Sequence, residues 1–261
     1  MSIEYLFQLK KEIILMMRDR NFDVSEEAKI LEYKTAEEFQ DYLKELKPES
    51  GKDARNIVIE YLFDNKIMGN RSLLSNVYCG RDDTSRKCIV YVNRGKLDKK
   101  VGKGEVKPFI KLLLGNKIKE GIFISENELT PQAASYWNST FALTHANPLK
   151  DKPERKGYFV QQFTDVKLMY NPLNHVYAPK YRLMNSKEAK DFLERNKIKP
   201  ANLPLIDVQD PVCRRLGIRP GQILEIVREI FVPYMLVNKE ISYRIATIIA
   251  DTKKTRKKKT I

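Results

Sequence analysis

The side chains that could carry out covalent or metal chemistry are few and lie far apart along the chain. Among two histidines and three cysteines, Cys79 and Cys88 are nine residues apart with no second pair, and Cys213 stands alone, so no recognised zinc spacing exists. His175 has the chemistry of a general base, but its surroundings predict a packed imidazole hydrogen-bonded to nearby backbone at a domain junction. There is no Gly-x-x-x-x-Gly-Lys-Ser/Thr phosphate loop and no Gly-x-Ser-x-Gly elbow. What the composition favours is electrostatic. Forty-eight Lys and Arg against 34 Asp and Glu give a formal net charge of +14. Lys96, Lys99, Lys100 and Lys103 crowd the Lys- and Gly-rich stretch from Gly95 to Gly104, which reads as a mobile basic loop. Such a surface speeds encounter with polyanions and supplies salt-dependent phosphate contacts.

The elements that would position these groups follow from periodicity. Ile3, Leu6, Phe7, Ile13, Ile14 and Met17 recur at helical spacing, predicting an amphipathic helix over 3–19. Thr35 with Glu38 makes a capping box ahead of a Phe39, Tyr42, Leu43, Leu46 stripe that Pro48 ends. Strand-like runs follow at Asn56 to Phe63, Cys88 to Val92 and Gly121 to Ile124, with a helix around Val106 to Leu114 between the last two. This alternation predicts an α/β N-terminal domain. Trp137 reads as a core or interface anchor rather than a base-stacking platform. Past a boundary near Tyr170-Asn171-Pro172 come a helix over 186–195, a short helix over 211–216 and a hairpin closing at Tyr243 to Ile249, a small α+β domain. The chain thus divides into 1–170, 171–250 and a basic tail, 251–261. The last nine residues hold six Lys or Arg and no apolar residue except Ile261, which predicts disorder.

At 261 residues and 42% apolar content the chain can bury one large or two small cores. The longest apolar run, Ile230 to Val237, falls far short of the ~20 residues needed to span a bilayer, so no membrane partner is expected. The run is either a buried hairpin arm or a docking patch, Pro233 favouring the second. The opening pattern, with Glu4, Lys10, Lys11 and Glu12, is not that of a signal peptide, and three cysteines without one predict free thiols in a reducing compartment.

The densest local specification is Asp210 to Arg228. Asp210 is a good N-cap, Pro211 suits the first helical position, Gly217 fits a left-handed exit, Pro220-Gly221 sets a turn, and Ile223 to Val227 has the look of a buried strand. With Tyr243-Arg244-Ile245, this stretch closely resembles the C-terminal domain of the fifth subunit shared by the eukaryotic nuclear RNA polymerases, a domain that archaeal RNA polymerases carry alone as a small homologous subunit. The resemblance runs from Phe163 to Arg228 through Asn174-His175, Pro179-Lys180 and the Asn185 to Glu188 helix start. Gly121-Ile122-Phe123-Ile124, Asn127, Thr130-Pro131 and Ala133, and Met17 to Phe22, are similar to the family's eukaryotic N-terminal domain. There are departures. Residues 147–160 look like an added surface loop, the Glu229 to Ser242 connection is long and apolar, and the tail has no counterpart. Gln132 stands for Ser and Asn174 for a first His. These suggest a divergent copy, such as one from a large DNA virus or a fast-evolving cellular lineage.

The resemblance implies a non-catalytic subunit of a multisubunit DNA-dependent RNA polymerase, without cofactors. Its fold would be an α/β jaw domain with a restriction-endonuclease-like core lacking catalysis, plus a small α+β assembly domain. Partners would be the largest polymerase subunit, other subunits and downstream duplex DNA. The site would be nuclear in a cell, or in the virion and host cytoplasm or nucleus for a virus. Thr130, Pro131, Gln132 and Ala133 correspond to a loop lying near that DNA, beside Lys96, Lys99, Lys100 and Lys103. Subunit docking would involve His175, Pro179, Lys180, Asp210, Pro211 and Arg244. Nucleases of that fold hold metal with acids and a Glu-x-Lys triplet. Glu105-Val106-Lys107, with Asp82-Asp83 upstream, has that spacing, but Glu154 to Lys156 has it too, and such triplets arise by chance in so charged a chain. The competing reading is a free-standing nucleic-acid-binding protein reusing the fold.

Overall fold

The computed structural model describes residues 2–45, 72–93, 99–141, 157–230 and 238–249. They fall into two units, Met1–Tyr170 and Asn171–Ile261.

The first unit opens with helix α1 (Ile3–Asp19), where Ser2 Oγ accepts from Tyr5 N. Its apolar face, Leu6, Leu9, Ile13, Ile14, Met16 and Met17, is fully covered. Helices α2 (Ala28–Glu32) and α3 (Ala36–Glu45) pack beside it. Thr35 Oγ1 accepts from Glu38 N at 3.4 Å, while the Glu38 carboxylate reaches Lys34 N, one residue before the predicted box partner. Phe39 is buried and stacks on Phe7 with ring centroids 5.2 Å apart.

A four-stranded sheet follows in the order β1-β2-β3-β4. Strands β1 (Asn76–Cys79) and β2 (Lys87–Val92) form an antiparallel pair. Helix α4 (Lys103–Gly115) crosses to β3 (Glu120–Ser125), and helix α5 (Pro131–Phe141) precedes β4 (Phe159–Thr164). Both β2–β3 and β3–β4 are parallel. Alternating side chains feed two cores. Val90, Val92, Ile122, Ile124 and Phe163 meet α1, whereas Ile89, Tyr91, Phe123 and Val160 meet α4 and α5. A sheet covered on both faces explains why β2 and β3 are continuously apolar. At Gly121 a Cβ would lie 2.9 Å from Phe109 Cζ and closer still to Leu113, so the missing side chain lets α4 approach β3. Short helix α6 (Asp165–Met169) ends the unit.

Two expectations need correcting here. Phe159 and Val160 are not surface loop but the start of β4, pinned by pairing with Glu120 and Gly121. Val101 is 4% exposed and bridges Leu129, and Lys103 and Gly104 already lie in α4, so the described part of the Gly95 to Gly104 stretch is anchored. The predicted strand Asn56 to Phe63 lies outside the described residues.

The second unit is a sheet in the order β5-β7-β8-β6 with one helix on each face. Its strands are β5 (Lys180–Leu183), β6 (Leu205–Asp207), β7 (Ile223–Ile230) and β8 (Asn238–Thr247), with β6 parallel to β8 and the other pairs antiparallel. Helix α7 (Ser186–Asn196) has a full capping box, Asn185 accepting from Glu188 N and Glu188 from Asn185 N. Its Phe192 meets Tyr243 at 4.2 Å, beside Ile223 and Ile245. Helix α8 (Pro211–Leu216) covers the opposite face through Cys213 and Leu216, against Leu224, Ile226 and Ala246. Residues 231–237 of the apolar connection and the tail 251–261 lie outside the described residues.

Candidate nucleic-acid and subunit interfaces

Within the first unit, backbone pairing joins the two segments singled out for DNA proximity. Val101 N donates to Glu128 O at 3.0 Å, Thr130 N donates to Val101 O at 2.9 Å, and Asn127 Nδ2 donates to Lys99 O at 3.2 Å. Exposed Lys99 and Lys100 therefore run beside Thr130, and Lys103 starts α4 next to the start of α5. Lys96 lies outside the described residues. Thr130 to Ala133 is not a loop. Thr130 Oγ1 accepts from Ala133 N and its carbonyl accepts from Ala134 N, so Thr130 caps α5, and Pro131 takes the first helical position, where a missing N–H costs nothing. Pro131 and Gln132 are exposed, whereas Ala133 is wholly buried against the α4 side of the sheet and is out of reach of a ligand.

Sequence reasoning missed Tyr136. It lies four residues after Gln132, on the same helical face, and its ring sits 4.6 Å from Lys103 Nζ. Lys103, Pro131, Gln132, Ser135, Tyr136 and Ser139 line a shallow hollow between α4 and α5. The helix start at Thr130-Pro131 was the available signal. Trp137, one residue on, is a core residue as read, stacked on Phe109 at 5.7 Å.

Of the acids weighed for metal chemistry, Glu154 lies outside the described residues and the others have partners. Glu105 Oε2 accepts from Gly102 N at 2.8 Å, closing the cap of α4. Asp83 Oδ1 accepts from Ser85 N and Oγ at 2.9 and 2.6 Å, which holds its carboxyl below the usual range. Asp82 accepts from the Asn21 amide. In the sheet, Glu120 is gripped by Arg86 through Nε and Nη2, at 2.8 and 3.1 Å. Among the described residues no group of three His, Cys, Asp or Glu could hold a metal ion.

In the second unit the six docking candidates divide between the two sheet faces. Asp210 Oδ1 accepts from Val212 N at 2.9 Å, and Gly217 leaves α8 at φ 67°, as read. Arg244 is paired with Leu224, and Tyr181 with Ile226, and Tyr181, Leu224 and Ile226 all pack with Cys213 and Leu216, so strand register puts Arg244 on the α8 face. Burial raises the Tyr181 phenol pKa and nearby Asp210 raises it further. The segment holding Pro172 to Asn174 packs on α8 and leads to His175. His175 makes the expected bond to nearby backbone, its Nδ1 accepting from Tyr177 N at 3.2 Å in a local turn, but it is exposed rather than packed. Pro179 is half-buried, and Pro211 is exposed. Lys180 faces the other way. It pairs with Glu229 at 2.8 Å, and neighbouring Arg182 bonds Glu225 and Glu188.

Comparison with known proteins matches both units. A mixed sheet of restriction-endonuclease type precedes a compact polymerase-type domain. Residues 74–149 match the family model described as Restriction endonuclease, and residues 170–246 match RNA polymerase Rpb5, C-terminal domain. The DNA-directed RNA polymerases I, II, and III subunit RPABC1 of Caenorhabditis briggsae is 25% identical over 241 residues, covering 92% of this chain and 94% of the relative. Its Caenorhabditis elegans namesake is 26% identical over 175 residues, 67% of this chain and 73% of the relative. The DNA-directed RNA polymerase subunit Rpo5 of Staphylothermus marinus is 35% identical over 91 residues, 35% of this chain and 93% of the relative. The chain belongs to this family of fifth-subunit proteins of DNA-directed RNA polymerase.

Proposed function

We propose that the chain is a non-catalytic polymerase subunit whose second unit docks on the largest subunit and whose first unit forms part of the lower jaw around downstream duplex DNA. In a cellular setting its site of action is the nucleus. The observation that carries the DNA-facing assignment is the pairing of Val101 with Glu128 and Thr130, which gathers Lys99, Lys100 and Lys103 beside Pro131 and Gln132 on one edge. A polymerase must traverse any sequence, so contacts there go to phosphates, which position the duplex without reading it. Docking is supported by Asp210 and Pro211 opening α8 and by Arg244, paired with Leu224, on the sheet face that α8 covers; Lys180, committed to Glu229, is the weaker candidate.

Affinity purification of the tagged full chain from its native cells tests this. The expected result is a complex of several subunits containing the largest one, with Arg244→Glu plus Pro211→Asp abolishing its recovery. Charge reversal of Lys99 and Lys100 should leave assembly intact and weaken downstream duplex binding. Elution near the 30.5 kDa of the chain itself would favour the free-standing nucleic-acid binder.

A further inference from the structure

Lys107, first considered as half of a Glu-x-Lys triplet, belongs to a different arrangement. Lys103, Lys107 and Lys111 recur at every fourth residue of α4 and are all exposed, while Val106, Phe109, Ile110 and Leu113 bury the opposite face. Steps of four residues advance ~6 Å along a helix and keep side chains on one face. From Lys99 to Lys111 there are five lysines and one acid, Glu105, whose carboxylate is turned back onto Gly102 N. Among the described residues none of the five lysines makes an ion pair. A row of like charges without ion-pair partners is self-repelling, and it is relieved when a polyanion lies along it. Lys103 is moreover steadied over the Tyr136 ring at the mouth of the hollow between α4 and α5.

We infer that the outer face of α4 is a phosphate track. Lys103, seated over Tyr136, Lys107 and Lys111 extend the Lys99–Lys100 edge along one strand of duplex DNA. This rests on the proposal that this edge faces downstream DNA. The track is ~12 Å long, about the axial rise of three to four phosphates of one strand. That matches three lysines with flexible stems. The apolar side of α4 stays committed to the sheet, so only the charged face of the helix is open to a partner.

The test is binding of the full chain to a labelled duplex of mixed sequence across a salt series. Lys107→Gln with Lys111→Gln should lower the slope of log K against log salt by ~0.9 per lysine, and affinity roughly five- to tenfold per lysine at 0.1 M salt. Tyr136→Leu should weaken binding roughly two- to fivefold at the parental slope, since charge is kept while positioning is lost; Tyr136→Phe should bind as the parent does. A parental slope for the α4 pair, with a reduced slope for Lys99→Gln plus Lys100→Gln, would overturn the track and leave the DNA-facing edge standing. Parental slopes for both pairs would remove the edge as well. Tighter binding of single-stranded RNA of the same length, with the same slope losses, would overturn duplex DNA as the occupant.

Discussion

Lys10 and Glu27 form an ion pair at 2.6 Å with both side chains only 2% exposed. Lys10 Nζ also donates to Leu74 O at 3.1 Å, and the Tyr78 hydroxyl donates to Glu27. The pair therefore ties α1 to the turn before α2 and to the start of β1. Losing one partner leaves the other charge buried, which costs about 3–5 kcal/mol. Glu27→Gln should lower the first unit's stability by that order in denaturant melts. Lys10→Met with Glu27→Leu should recover part of it, and additive losses would show that the two side chains act independently.

The cap and exit of α8 give a second expectation. Asp210→Ala removes the acceptor for Val212 N and should cost about 0.5–2 kcal/mol. Gly217→Val should cost more, because φ at that position is 67° and a branched side chain is strained there. Thermal melts followed on the second unit decide; equal midpoints for Gly217→Val and parent would mean the left-handed exit is not required.

Alkaline pH should loosen the second unit. Burial, with Asp210 and Asp207 nearby, pushes the Cys213 thiol up to about 12, and burial raises the Tyr181 phenol. The folded state keeps a thiol proton that the unfolded chain releases above ~8.5. This contribution to stability is whole below that value, declines as pH climbs, and is lost as pH passes about 12. Denaturant midpoints should fall between pH 8 and 11, and Cys213→Ala should flatten the fall. At pH 8 a thiol reagent should label partly exposed Cys79 before wholly buried Cys213.

Supercoiled plasmid incubated with the purified chain and Mg²⁺ or Mn²⁺ should stay intact. Glu105 is engaged in capping α4, and Glu120 is held by Arg86. Glu105→Ala should accordingly lower the melting temperature without changing any cleavage. Nicking by the parent that vanishes in Glu105→Ala, Lys107→Ala would revive metal-dependent hydrolysis.

Local chemistry determined a good part of this protein by itself. Asn185, Asp210, Pro211 and Gly217 act on backbone groups within a few residues, so helix ends at Ser186, Pro211 and Leu216 were legible from neighbours alone. The alternation of strand-like and helical runs pointed to an α/β first domain, and charge pointed to a polyanion. Tertiary structure decided the rest. Polar Gln161 and Gln162 sit in a strand because β4 is an edge paired with β3, which no local pattern encodes. Lys10 and Glu27 could be buried only because each found the other across seventeen residues. Ala133 left the proposed DNA-facing set because α5 turns it inward, while Tyr136 comes to lie under Lys103 only through the packing of α5 beside α4. Lys180 and Tyr181 are adjacent in the chain, yet strand alternation sends them to opposite faces. Caps and turns are short-range and show in sequence; which side chains share a surface depends on pairings between distant segments, and those exist only once the chain has folded.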